Sequence, residues 1–267
     1  MLKGFYDLTS GMLTQARVLN TISNNISNAS TPGFKSDKMV TNTFREMLLY
    51  RTGNTNKRGT TPLAGTNGVN DNNHGSESMI LTVNELITNH NQGTIEPTDR
   101  DLDFCILGNG FFQIQKPNGD LVYTRNGSFT LDDDGYLYLQ HIGRVMGENG
   151  PIRLDTDRII LDNDKRIIDE NGNVLGRILI ADFNDYDQLL KVEEGMFASR
   201  DGTPLMPDII NPAETDLINQ SFERSNVDPI DEMTGMMTSQ RSLQSAAQLL
   251  KMYDTIMAKA VSEIGRV

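Results

Sequence analysis

An oxygen-rich stretch near residue 170 has the residue types of a calcium loop without their spacing. Asp169, Asn171 and Asn173 alternate along the chain as calcium ligands do. An EF-hand loop needs glycine at its sixth position and glutamate at its twelfth, whereas Gly172 here is fourth and Ile180 is twelfth. We therefore interpret these residues, like the aspartates of the neighbouring turns, as solvated carboxylates rather than metal ligands.

Nucleophilic and metal-binding side chains are few in this sequence and lie far apart. The histidines, His74, His90 and His141, each lack a second histidine nearby, so no metal centre is predicted. The single cysteine, Cys105, lies in an apolar run, which favours a small buried hydrophobe over a reactive thiol. The sequence thus predicts no catalytic residue, no metal site and no cofactor, and we expect a protein that is not an enzyme.

Composition narrows the choice of partners. The 267 residues include 24 Lys and Arg against 36 Asp and Glu, a net charge of 24 − 36 = −12, which argues against binding to nucleic acid. No run of about 18 apolar residues is present, so no transmembrane segment is expected. The first residues, MLKGFYDLTSGM, lack the apolar core and cleavage site of a signal peptide. We expect any export to leave the chain uncleaved.

The strongest pattern in the chain is a seven-residue repeat near each end. Near the N-terminus, eight residues alternate three and four apart, and seven of them are apolar: Phe5, Leu8, Met12, Gln15, Leu19, Ile22, Ile26 and Ala29. Near the C-terminus, one set recurs every seven residues, namely Met236, Leu243, Leu250, Met257 and Ile264, and a second set fills the intermediate positions, namely Gln240, Ala247, Asp254 and Val261. Both patterns are typical of coiled-coil seams.

Two interpretations of these seams are open. Each helix can cover a globular core, or the two helices can pair with each other through stripes narrower than those of a surface helix. The strict seven-residue period favours pairing of the two ends. The second seam runs without Pro or Gly from Met236 to Ile264, which predicts a helix of roughly 30 residues that needs a packing partner.

A polar segment, Ser23-Asn24-Asn25-Ile26-Ser27-Asn28, lies at the end of the first seam, and Pro32 and Gly33 then stop the helix. Short polar side chains compete for backbone hydrogen bonds and weaken a helix. One interpretation is a frayed helix end with ordinary caps. The other is that the amides of the three asparagines hydrogen-bond neighbouring chains and fix their register. The composition of the segment favours neither interpretation.

The middle of the chain predicts a loop followed by a β domain. Residues 51–78 are rich in Gly, Asn and Thr and cannot fold alone, so they form either a flexible linker or an extended hairpin. From about residue 81 to 227, short alternating runs are separated by turns such as Asn126-Gly127 and Asp134-Gly135, which favour hairpins. Strands are predicted at 111–115, 121–124, 128–131, 136–139, 158–161, 166–169 and 174–181, and a helix at 182–193.

The predicted fold is mixed α and β. The N- and C-terminal coiled-coil helices pair with each other, and the central domain is a mostly antiparallel β structure. We expect an N-terminal coiled-coil helix and turn over residues 1–35, an extended loop or linker over 36–80, the β domain over 81–227, and a C-terminal coiled-coil helix over 228–267.

Three stretches, in order along the chain, carry a family resemblance. The first holds Ser10-Gly11-Met12, the polar segment 22–28 and Thr31-Pro32-Gly33-Phe34-Lys35. The second holds Leu102-Asp103-Phe104, Gly110-Phe111-Phe112 and residues 123–129, and the third holds Ser225-Asn226-Val227-Asp228, Glu232-Met233 and Gln240-Arg241. Together they resemble the flagellar rod and hook-basal body protein family over nearly the whole chain.

This resemblance implies a structural axial subunit of the bacterial flagellar basal-body rod. Proteins of the family pack their terminal helices into an inner tube, with the β domain outside, in an open helical assembly around an export channel. The implied partners are further copies of the chain, other rod and hook axial proteins, and the flagellar type III export apparatus, outside the cytoplasmic membrane. The expected subunit-assembly residues are Phe5, Leu8, Met12, Leu19, Ile22, Asn24, Asn25, Ile26, Asn28, Met236, Leu243, Ala247, Leu250, Met257, Val261 and Ile264.

Two alternatives accompany this hypothesis. Within the family, the length and the single β domain favour a rod protein over a hook protein, and we prefer the distal to the proximal rod type. Outside the family, a β-rich surface binding module, such as an adhesin or a peptidoglycan-binding protein, would dimerise through its helical ends. Such a module would form closed dimers rather than filaments.

Overall fold

The computed structural model describes residues 2–43, 81–154, 156–162, 164–169, 172–192, 195–199, 208–209 and 216–264. The loop predicted at 51–78 lies outside these residues. The described helices are α1 (Leu2–Ser27), α2 (Pro229–Ile264) and a single 3-10 turn (Tyr186–Gln188). The described strands are β1 (Asp37–Thr43), β2 (Leu81–Thr88), β3 (Ile95–Pro97), β4 (Phe104–Leu107), β5 (Phe111–Gln115), β6 (Leu121–Thr124), β7 (Thr130–Leu131), β8 (Leu137–Leu139), β9 (Gly143–Gly147), β10 (Gly150–Pro151), β11 (Ile159–Leu161), β12 (Ile167–Asp169), β13 (Val174–Gly176), β14 (Ile180–Asp182), β15 (Leu189–Lys191), β16 (Phe197–Ser199), β17 (Asp208–Ile209), β18 (Asp216–Asn219) and β19 (Ser221–Glu223).

The two terminal helices form where the heptad patterns predict them. α2 begins at Pro229, whose fixed φ and missing N–H suit the first turn of a helix. Asp231 and Glu232 in that turn complement the positive end of the helix dipole. After α1, the Asn28 N–H still donates to the Asn25 carbonyl at 3.2 Å, so helical turns continue briefly into the polar segment.

The largest sheet is built around β5, which pairs antiparallel with β6, β9 and β14. Its main path runs β15-β16-β6-β5-β9-β8-β7, with β10 paired to β9 and β17 paired to β14. A separate three-stranded sheet has the order β11-β12-β13. The expected mixed fold, with a helix near each end and a central antiparallel β region, is therefore confirmed.

Both faces of β5 are covered, because successive side chains of a strand point to opposite faces. Phe112 and Ile114 belong to the larger core, in which the Phe129 ring lies edge-on to Phe112 at a centroid distance of 5.2 Å. Phe111 lies on the other face, in a smaller cluster with Tyr123, Ala181, Phe183, Leu189 and Phe197. The consecutive Phe111-Phe112 pair thus contributes one ring to each side of the sheet.

Several predicted elements need correction. The helix predicted at 182–193 is wrong, because this stretch holds the end of β14, the 3-10 turn and β15. The Asp185 side chain accepts from the Asp187 N–H and caps only that three-residue turn, after which β15 pairs with β16. The strand predicted at 174–181 is divided into β13 and β14. The predictions at 111–115 and 121–124 match β5 and β6.

Asn126-Gly127 does not join the predicted hairpin, because β6 pairs with β5 and β16 while β7 pairs with β8. A Cβ atom at Gly127 would lie 1.8 Å from the Phe104 carbonyl oxygen. The Phe104 N–H also donates to the Gly127 carbonyl at 2.9 Å. Glycine is required here because two segments of backbone meet.

By contact density the chain divides into two compact units. The first contains α1 as far as Asn24, the β1–β2 pair and α2 from Ile230. The second contains Asn25–Ser36 and Thr88–Pro229, and so the central β region. These boundaries differ from those expected at residues 35 and 81, because residues 25–36 pack with the β region and β1 pairs with β2.

Candidate functional site

The expected seam of α1 lies mainly on its partly buried side. Leu8, Met12, Leu19, Ile22 and Ile26 are partly buried, whereas Phe5 is 36% exposed. A Cβ atom placed on Gly235 of α2 would lie 3.4 Å from the Ile22 Cδ1 atom. Ile22 therefore packs directly over the backbone of α2 at this point.

The partly buried side of α2 follows a heptad with one shift from the expected positions. Met236, Leu243, Leu250 and Met257 are partly buried as a set, and the side chain of Ile264 is not among those described. The intermediate positions of lower exposure are Ser239, Ala246, Tyr253 and Ala260, each one residue before the expected Gln240, Ala247, Asp254 and Val261, which are exposed. Both placements satisfy a three-four alternation, and the inward set combines small side chains with Tyr253.

A series of large apolar side chains remains exposed on the two helices. On α2 these are Ile230, Met233, Met237, Leu249, Met252, Ile256 and Val261, and on α1 they are Phe5 and Leu13. Water is an unfavourable environment for side chains of this kind, and contiguous exposed apolar surface marks a site of protein association. The helices thus offer apolar surface for association outside the partly buried seam.

The three asparagines of the polar segment occupy different environments. Asn25 is buried, Asn28 is partly buried and Asn24 is exposed. The Asn28 side-chain oxygen accepts from the Thr31 hydroxyl at 3.2 Å, which is a local cap rather than a long-range contact. Among the three, Asn24 is the most accessible to a neighbouring chain.

The segment after this polar stretch holds a structure that the sequence patterns did not predict. We call Gly33, Phe34 and Lys35 the latch. Gly33 has φ +68°, and a Cβ atom there would lie 2.3 Å from the backbone of Arg125. The Gly33 N–H donates to the Glu223 carbonyl at 2.7 Å. The latch backbone is therefore pressed against the β region within the second unit.

The Phe34 ring fixes the latch further. Phe34 is buried, and the Lys191 ammonium lies 3.6 Å from the centroid of its ring. The Lys191 ammonium also donates to the Lys35 carbonyl. A cation held over an aromatic face and hydrogen-bonded to the adjacent backbone stabilises both groups.

The charged end of the latch is buried with two partners. The side chains of Lys35 and Glu223 are almost fully shielded from solvent, with Lys35 Nζ 2.5 Å from Glu223 Oε1. Arg125 Nη1 lies 3.4 Å from Glu223 Oε2, and Arg125 Nη2 donates to the Gly108 carbonyl at 2.7 Å. Burial lowers the pKa of Lys35, and the charge and hydrogen bond of Glu223 oppose that shift.

Further hydrogen bonds satisfy the polar atoms of Glu223 and Lys35. The Gly93 N–H donates to Glu223 Oε1 at 2.8 Å, and the Lys35 ammonium also donates to the Asn91 carbonyl at 2.7 Å. A buried charge pair is stable only where hydrogen bonds satisfy its remaining polar atoms. These hydrogen bonds satisfy Lys35 and Glu223, whereas Arg125 Nε is buried without a partner. The latch thus joins residues 33–35 to four distant segments of the β region, at residues 91–93, 125, 191 and 223.

The acidic turn at residues 132–134 is held by ion pairs. Arg144 Nη2 lies 2.7 Å from Asp134 Oδ2 and 3.0 Å from Asp132 Oδ2. The hydrogen bond from Arg144 lowers the pKa of Asp132. Across the described residues, no group of three or more His, Cys, Asp or Glu side chains has an arrangement that suits a metal ion.

Cys105 is buried, as predicted. Its thiol lies beside the Ile106 carbonyl at 3.7 Å, and burial raises its pKa to about 11. A thiol with this pKa is protonated at neutral pH and is a poor nucleophile. The helices that the structure describes are too polar or too short to cross a membrane.

Comparison with known families gives three matches in the order of the chain. Residues 5–35 match "Flagella basal body rod protein", residues 105–176 match "Flagellar hook protein FlgE/F/G D1 domain", and residues 218–263 match "Flagellar basal body rod FlgEFG protein C-terminal". The first and third matches contain most of α1 and α2, and the second lies within the β region.

Relatives align over almost their whole length. The chain is 31% identical to the flagellar basal-body rod protein FlgG of Bacillus subtilis over 98% of this chain and 99% of the relative. It is 29% identical to the flagellar hook-basal body complex protein FlhO of the same organism over the full length of both. It is 28% identical to the flagellar basal-body rod protein FlgF of Caulobacter vibrioides over 97% of this chain and 96% of the relative.

Proposed function

The chain belongs to the flagellar basal-body rod protein family, and on this premise we propose that it polymerises helically through its terminal helices. Membership makes it a structural protein of the flagellum. In our proposal, many copies form the drive shaft of the rod, and their helices form the wall of the export channel. The near full-length likeness to rod proteins supports a rod role over a hook role.

The observation that carries this proposal is the apolar surface left on α2. Large side chains such as Ile230, Ile256 and Val261 are more than 60% exposed in the single chain. A subunit that remained monomeric would keep this surface in water at a free-energy cost. Polymerisation buries it.

Within one subunit, we propose that α1 and α2 pair as a coiled coil. The contact of Ile22 with the backbone at Gly235 supports this pairing, as does the partly buried heptad of Met236, Leu243, Leu250 and Met257. The exposed Phe5, Ala247 and Val261 then serve contacts between subunits. Asn24, Asn25, Asn28 and Ile264 remain proposed members of the same assembly surface.

The proposal also covers export of the chain from the cell and its contacts with other rod and hook proteins. We propose that the chain leaves the cell through the flagellar type III apparatus without a cleaved signal, and that its helices order during assembly because an isolated apolar stripe does not offset the entropy of ordering. Other rod and hook proteins cap the polymer at its two ends. We prefer the distal to the proximal rod type.

Leu250→Asp tests the proposal, because it places a charge on the partly buried seam of α2. We expect the variant to stay monomeric in sedimentation and electron microscopy under conditions where the unsubstituted chain forms filaments. Thermal unfolding of the β region should be unchanged. The matched control is Gln248→Asp, which adds the same charge at an exposed position of the same helix.

The control variant should polymerise normally. Filaments of Leu250→Asp would contradict the proposal. So would a closed dimer as the largest species of the unsubstituted chain, since that is the behaviour of a binding module with dimerising helices.

A further inference from the structure

α2 carries two exposed apolar patches with the same internal spacing. Patch N consists of Ile230, Met233 and Met237, and patch C consists of Leu249, Met252 and Ile256. All six side chains are 49% to 75% exposed. In both patches the residues lie at i, i+3 and i+7, which places them in one stripe of about two helical turns. Equivalent positions are 19 residues apart by their numbers, or about 28 Å along a helix.

The patches lie on opposite flanks of the partly buried seam. If Met236 and its heptad equivalents are the a positions and Ser239 and its equivalents the d positions, patch N occupies positions b and e. Patch C then occupies positions g and c. Positions b and e lie on one side of the a/d seam and positions c and g on the other. One neighbouring helix cannot cover both patches, so two different neighbours are needed.

Charge distinguishes the two ends of α2. Residues 228–240 contain Asp228, Asp231 and Glu232 and no Lys or Arg, a net charge of −3. Residues 247–259, which lie 19 positions further along the helix, contain Lys251 and Lys259 against Asp254, a net charge of 2 − 1 = +1. Contact of patch N with patch N would bring two acidic segments together. Contact of patch N with patch C brings the acidic segment beside the basic one, which is favourable. Asp228, Asp231 and Glu232 lie at positions g, c and d of the heptad, so this attraction acts between the two helical segments and not within the apolar contact.

We propose that patch N of one copy packs against patch C of the next copy, with the two α2 helices parallel and displaced by 19 residues. The proposal rests on the proposed function and specifies its contact. Because each copy presents different surfaces to its two neighbours, the contact is heterologous and repeats as an open chain. A two-fold axis cannot generate it, since that axis pairs a surface with itself.

Cysteine cross-linking of the full-length chain tests this contact. Met233→Cys and Met252→Cys are made separately and together, assembled, and treated with a short bis-maleimide. The buried Cys105 is left in place, and the unsubstituted chain measures its background. On a denaturing gel, we expect the mixture of single variants to give covalent dimers and the double variant to give a ladder.

Each single variant alone should give no more than background. The register control mixes Met233→Cys with Ala258→Cys, which is exposed and six residues from Met252 but occupies position b, on the opposite flank of the seam. This mixture should give few dimers. Electron microscopy of every sample shows whether filaments are present before cross-linking.

The outcomes separate this contact from the proposed function. Filaments without cross-links between residues 233 and 252 would overturn the 19-residue displacement and leave helical polymerisation standing. Dimers from either single variant alone would also overturn it, because a patch would then face itself. If the chain forms no filaments under any condition, helical polymerisation fails and this contact fails with it.

Discussion

Lys35, Glu223 and Arg125 show how strongly a few buried charges can fix the course of the chain. The three groups are separated by up to 188 positions in sequence, yet the Lys35 and Arg125 nitrogens lie within 3.4 Å of the Glu223 carboxylate. The surrounding amides and carbonyls satisfy further polar atoms of the group. Removing one member would leave charge in a site that excludes water.

Lys35→Met should therefore destabilise the β region by roughly 3 to 5 kcal/mol, the usual loss when one partner of a buried pair is removed. Methionine keeps the apolar length of the side chain and deletes the charged ammonium together with its hydrogen bonds to Glu223 and the Asn91 carbonyl. Urea unfolding followed by circular dichroism measures the change. The matched control, Lys38→Met, alters an exposed lysine three residues away and should change stability by less than about 1 kcal/mol. Equal effects of the two substitutions would contradict a special role for the latch.

Ionisation of Cys105 makes the stability of the β region depend on pH in the alkaline range. Burial raises the thiol pKa from 9.0 to about 11, so the folded state holds this proton more tightly than the unfolded state. The resulting stabilisation is complete below about pH 9 and is lost as the pH rises from about 9 to about 11. Two pKa units correspond to about 2 to 3 kcal/mol at most.

We expect Cys105→Ala to lose less unfolding free energy than the unsubstituted chain between pH 9 and pH 11. Burial also raises the pKa of Tyr186 to about 12, which adds an alkaline loss of the same sign in both proteins. The difference between the two proteins isolates the thiol. Parallel pH profiles would show that Cys105 has the same pKa in the folded and unfolded chains.

Among the elements, the helices and the central hairpins follow from local patterns. The heptads predict α1 and α2, and the Asp134-Gly135 turn lies between β7 and β8 as expected, with φ +80° at Gly135. Local patterns do not predict β18 and β19, which pair with β4 and β3 more than 100 residues earlier. Those pairings are decided by long-range contacts, and the sequence alone shows only short runs such as Asp216-Leu217-Ile218.

The heptad of α2 shows a second limit of prediction from sequence. The sequence indicates the seven-residue period, but both Gln240 and Ser239 fit a three-four alternation from Met236. Side-chain size does not decide between them, because the positions of lower exposure include both the small Ser239 and the large Tyr253. The latch could not be predicted for a related reason. Phe34 and Lys35 have no periodic partner, and Glu223 lies in a different part of the sequence.

Gly33 allows the latch to approach the backbone of Arg125. The cost of losing this close approach can be measured separately from the strain of a positive φ. Gly33 and Gly108 both have positive φ, but a Cβ atom added at Gly33 would lie within 3 Å of backbone atoms, whereas one added at Gly108 would meet open space. Gly108→Ala should cost about 1 to 2 kcal/mol from strain alone. Gly33→Ala should cost clearly more, because the latch must also move away from Arg125. Urea unfolding measures both, and equal losses would show that the close approach is not required.

The division of the chain into two units predicts where proteases cut. Residues 25–36 belong to the same unit as the β region, so the boundary of the protected part lies near residue 25 rather than near 35. Arg17, Arg241 and Lys251 lie on exposed positions of the helices, whereas Lys35 is buried in the latch. If the helices order only on assembly, they are the least stable part of the free chain.

In limited trypsin digestion of the monomer, we expect cuts after Arg17, Arg241 and Lys251 to precede any cut after Lys35, as mapped by mass spectrometry. In assembled filaments, the helix sites should become resistant because neighbouring copies cover them. Lys35→Met removes the trypsin site after residue 35, so this variant is digested with chymotrypsin instead. Cleavage after Phe34 should then be faster than in Lys38→Met. Early cleavage after Lys35 in the unsubstituted monomer would show that the latch is open before assembly. Resistance of Arg17 and Arg241 in the monomer would show that the helices are already ordered, and polymerisation would then join preformed surfaces rather than fold them.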